Sequence, residues 1–240
     1  MTLIGEVFVA DVLGKAVLDP LGEEIGLLRD IAVEGGGPFP RAAGLLLEKK
    51  KKMWFLPWSD LSIFNRRIIS SRKRESELTE FHPSPEMLLI GKDLLDKQIV
   101  DINGAKVVRV NDVKLTEEGG AACVTDVDVG VRGILRRLGV ERRGDAFFQA
   151  IRHPLKHQLI SWEFIQPLEP RLDRLMLSMS REALSRIHPA DIAQMISGMS
   201  PDERKGFFEK LDLATAAEAL HELEPEVQAD LISDMDKEQA

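Results

Sequence analysis

Residues 13–33, LGKAVLDPLGEEIGLLRDIAV, lie without a gap on residues 95–115, LDKQIVDINGAKVVRVNDVKL, at an offset of 82. Leu13/Leu95, Lys15/Lys97, Asp19/Asp101, Gly22/Gly104 and Asp30/Asp112 are identical pairs, and apolar positions coincide from Val17/Ile99 to Ile31/Val113. A second match closes each copy. LPWSDL (56–61) answers ISWEFI (160–165), pairing Trp58 with Trp162 in a chain that holds only three tryptophans. Two independent matches in the same order mean a duplication, and one local architecture must then satisfy both sequences.

Each copy reads as strands. AVLDPLGEEIGLLRDIAV is a short strand, a turn at Pro20 to Gly22 and a longer strand, and in the second copy the turn is Asn103-Gly104, a strong hairpin signal. AAGLLLE and MWFLPW follow in the first copy, joined through Lys49 to Lys52, where the lysines fall on a solvent-exposed reversal. AACVTDVDV answers them in the second copy. There a helical stretch, GVRGILRRLGVERRGDAFFQAIRHPLKHQ, is inserted before ISWEF. Asn65 to Pro85 joins the copies, with a strand near Arg67 to Ser70 and then a charged, polar linker. Short strands with closely spaced turns predict one small β-barrel per copy.

The run G/D-K-x-apolar-x-D-x-x-G, the Asp-apolar close of the long strand and the final Trp-acid strand resemble the PRC-barrel family. The resemblance covers roughly residues 3–68 and 88–168, and the insertion departs from a minimal barrel. It implies an adaptor rather than a catalyst.

A different periodicity begins after QPLEPR (166–171). DIAQMISGMSPDERKGFFEKLD (191–212) matches TAAEALHELEPEVQADLISDMD (215–236) at an offset of 24, with Pro201/Pro225 and Asp212/Asp236 in register. Ile192, Met195, Ile196 and Met199 form one helical face, repeated by Ala216, Ala219, Leu220 and Leu223. Ser200-Pro201-Asp202-Glu203 is a capping box, and His188-Pro189 and Glu224-Pro225 mark other helix starts. Stacked two-helix units predict a superhelical domain. Charge changes at the same boundary: residues 171–240 hold 15 acidic and eight basic side chains, whereas the first 170 residues are nearly balanced at 25 and 24.

The wording IHPADIA…MSPDERKGFFEKLD…AAEALHELEPEVQADLI resembles the cytosolic N domain of MgtE-type magnesium transporters over about residues 175–240. The resemblance implies that acidic residues of this domain face a CBS-domain pair, and that Mg²⁺ between them relieves repulsion and closes the channel. Glu218, in AAEAL, matches an acidic metal-facing position of the family. CBS and membrane domains of a parent protein are then the partners, a homodimer is an allowed state, and Mg²⁺ binding by the isolated region is weak or absent.

Other readings are excluded or left bland by the residues. A net charge of −8 does not suit a nucleic-acid-coating protein. Cys123 is the sole cysteine, so neither a disulfide nor a thiolate metal site is expected. No apolar run approaches the ~20 residues of a membrane helix, and the N-terminus lacks a signal-peptide pattern. The five histidines form no HExxH set, and His153 and His157 flank Pro154. Gly35-Gly36-Gly37-Pro38 lacks the lysine of a phosphate loop. Arg132, Arg136, Arg137, Arg142 and Arg143 form the densest basic cluster; Arg132 and Arg136 share a helix face able to contact phosphates or lipid head groups, but with Glu141 and Asp145 nearby the favoured reading is a solvated helix or an interdomain salt-bridge surface. No catalytic constellation is present.

The expected architecture is therefore α+β and multidomain: a PRC-like barrel at 1–70, a linker at 71–87, a second barrel with a helical insertion at 88–169, and a helical-repeat domain at 170–240, cut from a longer chain. The expected function is the cytoplasmic regulatory region of an inner-membrane magnesium transporter. The alternative is a PRC-type adaptor for protein or ribonucleoprotein partners.

Overall fold

The computed structural model describes residues 5–35, 38–82, 87–103, 106–141, 157–167 and 187–234. The protein is mixed α+β, with a large curled sheet and C-terminal helices. It divides into two compact units, Met1–Lys97 with Val110–Glu163, and Gln98–Arg109 with Phe164–Ala240.

The duplication reappears as repeated hydrogen bonds. In the first copy β2 (Ala16–Leu18) pairs with β3 (Glu24–Glu34), setting Ala16 opposite Leu27 and Val17 opposite Gly26. In the second, β10 (Gln98–Asp101) pairs with β11 (Lys106–Arg109), setting Gln98 opposite Arg109 and Ile99 opposite Val108, the same register displaced by 82. Gly14 donates to Leu28 and Leu28 to Lys15; Asp96 donates to Val110 and Val110 to Lys97. The left-handed position before the lysine is Gly14 at φ 77° in one copy and Asp96 at φ 66° in the other. At Asp96 a bidentate pair with Arg137, at 2.6 and 2.8 Å, accompanies the unfavourable backbone. The tryptophans open equivalent 3₁₀ turns, Trp58–Asp60 and Trp162–Phe164, rather than ending strands.

The two copies complete each other. β1 (Val7–Phe8), from the first copy, pairs with β12 (Asp112–Glu118) of the second, and β9 (Leu88–Leu89) of the second pairs with β3 of the first. A helical turn follows each exchanged strand: α1 (Val9–Val12) and the π-helical turn Ile90–Leu94. The π turn is one residue longer, so the offset is 81 before it and 82 after it. Each exchanged turn is held by the aspartate of the opposite copy. Asp30 Oδ1 accepts from Gly91 at 2.6 Å and Ile31 at 2.7 Å, and its Oδ2 from Lys92 at 3.0 Å. Asp112 Oδ1 accepts from Ala10 at 3.0 Å and Val113 at 2.8 Å. Val9, Val12, Ile90 and Leu94 of the exchanged turns are buried, as are Ile31 and Val113, which follow the two aspartates.

Strands of both copies join one twelve-stranded sheet. In it β3 pairs with β4 (Arg41–Lys49), β4 with β5 (Lys52–Pro57), and β12 with β13 (Ala121–Asp128). The β4–β5 reversal is Lys50-Lys51, with both residues at positive φ (52° and 65°) and Lys49 opposite Lys52. Two left-handed residues match the right-handed twist of a hairpin, but lysine is a poor occupant where Asn-Gly is favoured. The double substitution Lys50→Asn, Lys51→Gly is expected to stabilise the protein by about 1 kcal/mol, read as a higher urea midpoint at unchanged slope. In the second copy the equivalent strands, β13 and β14 (Leu159–Ser161), pair in the same register, Val127 opposite Ile160 as Leu45 opposite Leu56. The insertion occupies the reversal there, beginning with α2 (Val131–Arg137). Residues 142–156 of that insertion lie outside the described residues.

The charged run after Ser71 is tied to the sheet. Lys49 pairs with Glu75 at 2.7 Å, Leu78 is buried, and Thr79–Glu80 pairs with β5.

In the second unit the helices Pro189–Ser197, Pro201–Phe208, Leu213–Glu222 and Pro225–Asp234 follow the 24-residue period. Ile192, Met195, Ile196, Met199, Ala216, Ala219 and Leu223 are buried as the spacing predicts, with Phe207 and Leu231 between them. His188 Nδ1 caps the first helix, accepting from Ala190 at 3.3 Å. Asp212 caps the third, accepting from Ala214, Thr215 and the Thr215 hydroxyl at 2.6–3.1 Å, and the Thr215 bonds hold its carboxyl below the ordinary range. The same core takes Val100, Ile102 and Val107 from the β10–β11 hairpin, whose sheet is completed by β15 (Ile165–Pro167).

Candidate functional site

The densest charged constellation among the described residues gathers around Arg136 on α2. Its side chain is 2% exposed, and the Asp112 and Asp128 side chains are fully buried. Arg136 Nη1 donates to Asp112 Oδ2 at 2.6 Å and stands 3.5 Å from Asp128 Oδ2, and Nη2 lies 3.4 Å from Glu141. The guanidinium covers the face of Phe8 at 3.5 Å from the ring centroid. Asp128 Oδ1 accepts from Gly130 at 2.9 Å, while its Oδ2 makes no hydrogen bond among the described residues. Arg136 supplies to Asp112 the third donor that the Lys92 amide supplies to Asp30. It thereby fastens the insertion to the exchanged turn α1.

One guanidinium faces three carboxylates, two of them without solvent. Burial pushes the Asp112 carboxyl up to about 6, against the opposing pull of Arg136 and the Ala10 and Val113 amides. Burial likewise raises Asp30. A carboxyl with a raised folded-state value favours the folded state below its unfolded value, and that contribution is lost as pH rises through the folded value. The unfolding free energy of the native protein minus that of Asp112→Asn is therefore expected to fall by roughly 2–3 kcal/mol between pH 4 and 7. Urea titrations of both proteins across that window measure it, and a constant difference would refute the assignment.

The other described arginines of the predicted cluster, Arg132 and Arg137, are also paired. Arg132 donates to Glu141 at 3.2 Å and lies 2.8 Å from His157 Nε2. His157 stacks on Phe8 with ring centroids 6.2 Å apart. Arg142 and Arg143 lie outside the described residues, as does His153. The three described arginines of α2 are thus ion-paired, with partners that all lie in the first unit. Sequence reasoning did not connect them to Asp112 and Asp128. The available signal was the identity of Asp30 and Asp112 in the duplication.

Glu218 stands exposed on the helix Leu213–Glu222, one turn before exposed Glu222. Glu224, Glu226 and Asp230 are exposed beyond it. Carboxylates at i and i+4 share a helix face and offer hard oxygen donors, which suits a cation that keeps most of its water. They do not enclose one: among the described residues no group of three His, Cys, Asp or Glu side chains is arranged to hold a metal ion. No helix among the described residues is long and apolar enough to cross a membrane.

Residues 187–240 match the model of the MgtE intracellular N domain. That segment takes in all four helices and Glu218. No curated protein matches the chain.

Proposed function

We propose that the chain is a non-catalytic regulatory region of a magnesium transporter, in which the acidic helical face senses Mg²⁺. The observation that carries this reading is the family match over the four helices, on whose surface the carboxylates of Glu218 and Glu222 are presented together. Mg²⁺ needs only one or two carboxylates from this side when a second acidic surface supplies the rest. A CBS pair of the parent protein is the proposed second surface. At low Mg²⁺ the two surfaces repel; at high Mg²⁺ the ion bridges them and biases a two-state arrangement. The duplicated β unit is proposed to be a tandem of PRC-type barrels serving as an adaptor, a reading supported by the repeated registers and by the insertion at a single reversal.

The test is Mg²⁺-dependent protease protection of this region joined to its CBS partner. Protection is expected to grow through the millimolar range and to be weakened by Glu218→Ala. Protection that ignores Mg²⁺ sinks the sensing role, and a full response in Glu218→Ala sinks the residue assignment. The adaptor alternative has its own support in the exposed Val131, Ile134 and Leu138, which lie at i, i+3 and i+7 along α2 and its C-terminal end.

A further inference from the structure

The first unit contains a cleft of about 310 Å³ whose lining includes Lys15, Arg66, Arg67 and Arg136, with Asp11 and Glu141. Its floor is fixed. Arg136 is the buried guanidinium described above, and Glu141 already accepts from Arg132 and Arg136. Its rim is the reversal between β6 (Leu61–Phe64) and β7 (Ile69–Ser71). Asn65 Oδ1 accepts from Arg67 at 2.8 Å and Ile68 at 3.0 Å, and the Lys15 ammonium donates to the Arg66 carbonyl. Backbone fixed by an Asx turn and a lysine tether holds two consecutive arginines at the opening. Neither Arg66 nor Arg67 has an ion-pair partner among the described residues, whereas the arginines of α2 are all paired.

We infer that this cleft binds a phosphate group. Arg136 is already engaged by Asp112, Asp128 and Glu141, so the cations left to meet an anion are Arg66, Arg67 and Lys15 at the rim, against Asp11. Guanidinium forks bind tetrahedral oxyanions through paired, charge-assisted hydrogen bonds. The volume lies at the small end of ligand sites, suited to a phosphate or a short phosphate ester. Asp11, unpaired among the described residues, would accept from a hydroxyl on such an ester. This inference concerns the β unit and is independent of Mg²⁺ sensing by the helices.

The full chain is titrated calorimetrically with inorganic phosphate and with glycerol 3-phosphate, with ionic strength held constant by sodium chloride. Saturable binding is expected, weakened about tenfold or more in Arg66→Ala/Arg67→Ala. Arg66→Lys/Arg67→Lys is expected to retain part of it, because the charge remains while the forks are lost. Both arginines are exposed, so the unliganded melting temperature of either variant should stay near that of the native chain. A parallel arm sediments the chain with phosphatidylglycerol vesicles and with phosphatidylcholine vesicles. Arginine-dependent sedimentation with the anionic vesicles alone assigns the phosphate to a lipid headgroup. Calorimetric binding without sedimentation assigns it to a soluble ligand. Failure of both arms to show binding, or binding unaltered in Arg66→Ala/Arg67→Ala, overturns the site.

Discussion

Replacing Arg136 with methionine is expected to destabilise the first unit by about 3–5 kcal/mol, the cost typical of leaving buried charges without their partner. Asp112 and Asp128 would remain in the interior with no guanidinium, and Phe8 would lose the cation on its face. The effect should exceed that of any exposed pair in the molecule. Arg29–Glu48 and Lys73–Glu77 are solvent-accessible, and such pairs contribute about 0–1 kcal/mol. The diagnostic comparison is the triple variant Arg136→Met, Asp112→Asn, Asp128→Asn. Removing the charges with their partner should recover much of the loss, since buried ion clusters often do little better than neutral replacements. Urea unfolding followed by tryptophan fluorescence measures both, because buried Trp162 lies in the same unit. A loss below about 1 kcal/mol for Arg136→Met would show that the carboxylates are solvated or already protonated.

The larger effect is expected from separating the two copies. Residues 1–82 alone should show no cooperative unfolding transition, although they contain a complete set of first-copy strands. In that fragment β3 loses its partner β9, and Val7–Phe8 loses β12. Asp30 loses the Gly91 and Lys92 amides, leaving a buried carboxylate with one local donor. Co-expression of 1–82 with 83–240 should restore a folded complex, because the exchanged contacts need no chain connection. The point variant Asp30→Ala, which strips one buried and two partly buried amides of their acceptor, is expected to cost about 2–3 kcal/mol in the intact chain. A sharply dispersed amide spectrum from 1–82 alone would refute the exchange as a source of stability.

The duplication was legible in the sequence because paired identities at a fixed offset survive any ambiguity about strand or helix. The 24-residue helical period was legible for the same reason, and Ile192 through Leu223 are buried where the 3.6-residue spacing puts them. The exchange was not legible. Short apolar segments such as Val7–Phe8 and Leu88–Leu89 carry no mark of which long strand they will join, since both long strands offer the same edge. The hairpin's place in the helical core was not legible for a related reason: β10 and β11 are apolar on either side of the Asn103-Gly104 turn, and nothing local says that Val100 and Val107 pack on helices. The charge cluster escaped because its members come from β12, β13 and an insertion, and it closes on Phe8 of β1, more than 100 residues away in sequence. Glu218 was legible only through family wording. Its surroundings on the helix surface add Glu222 and nothing that closes a metal site among the described residues.

The exchanged first strand also sets a timetable for synthesis. Val7–Val12 leaves the ribosome well before the strand and aspartate that receive it, Asp112–Leu115, which come about 100 residues later. At ordinary elongation rates that interval is roughly 5–20 s. During it Val7, Val9 and Val12, all buried in the finished fold, lack the strand β12 that β1 and α1 meet there. Partial copies would meet the same vacant edges on neighbouring polysomes, so a slowed ribosome between residues 12 and 112 favours intermolecular exchange over the native one. Slowing translation across this stretch is accordingly expected to lower the yield of folded protein without changing its final stability.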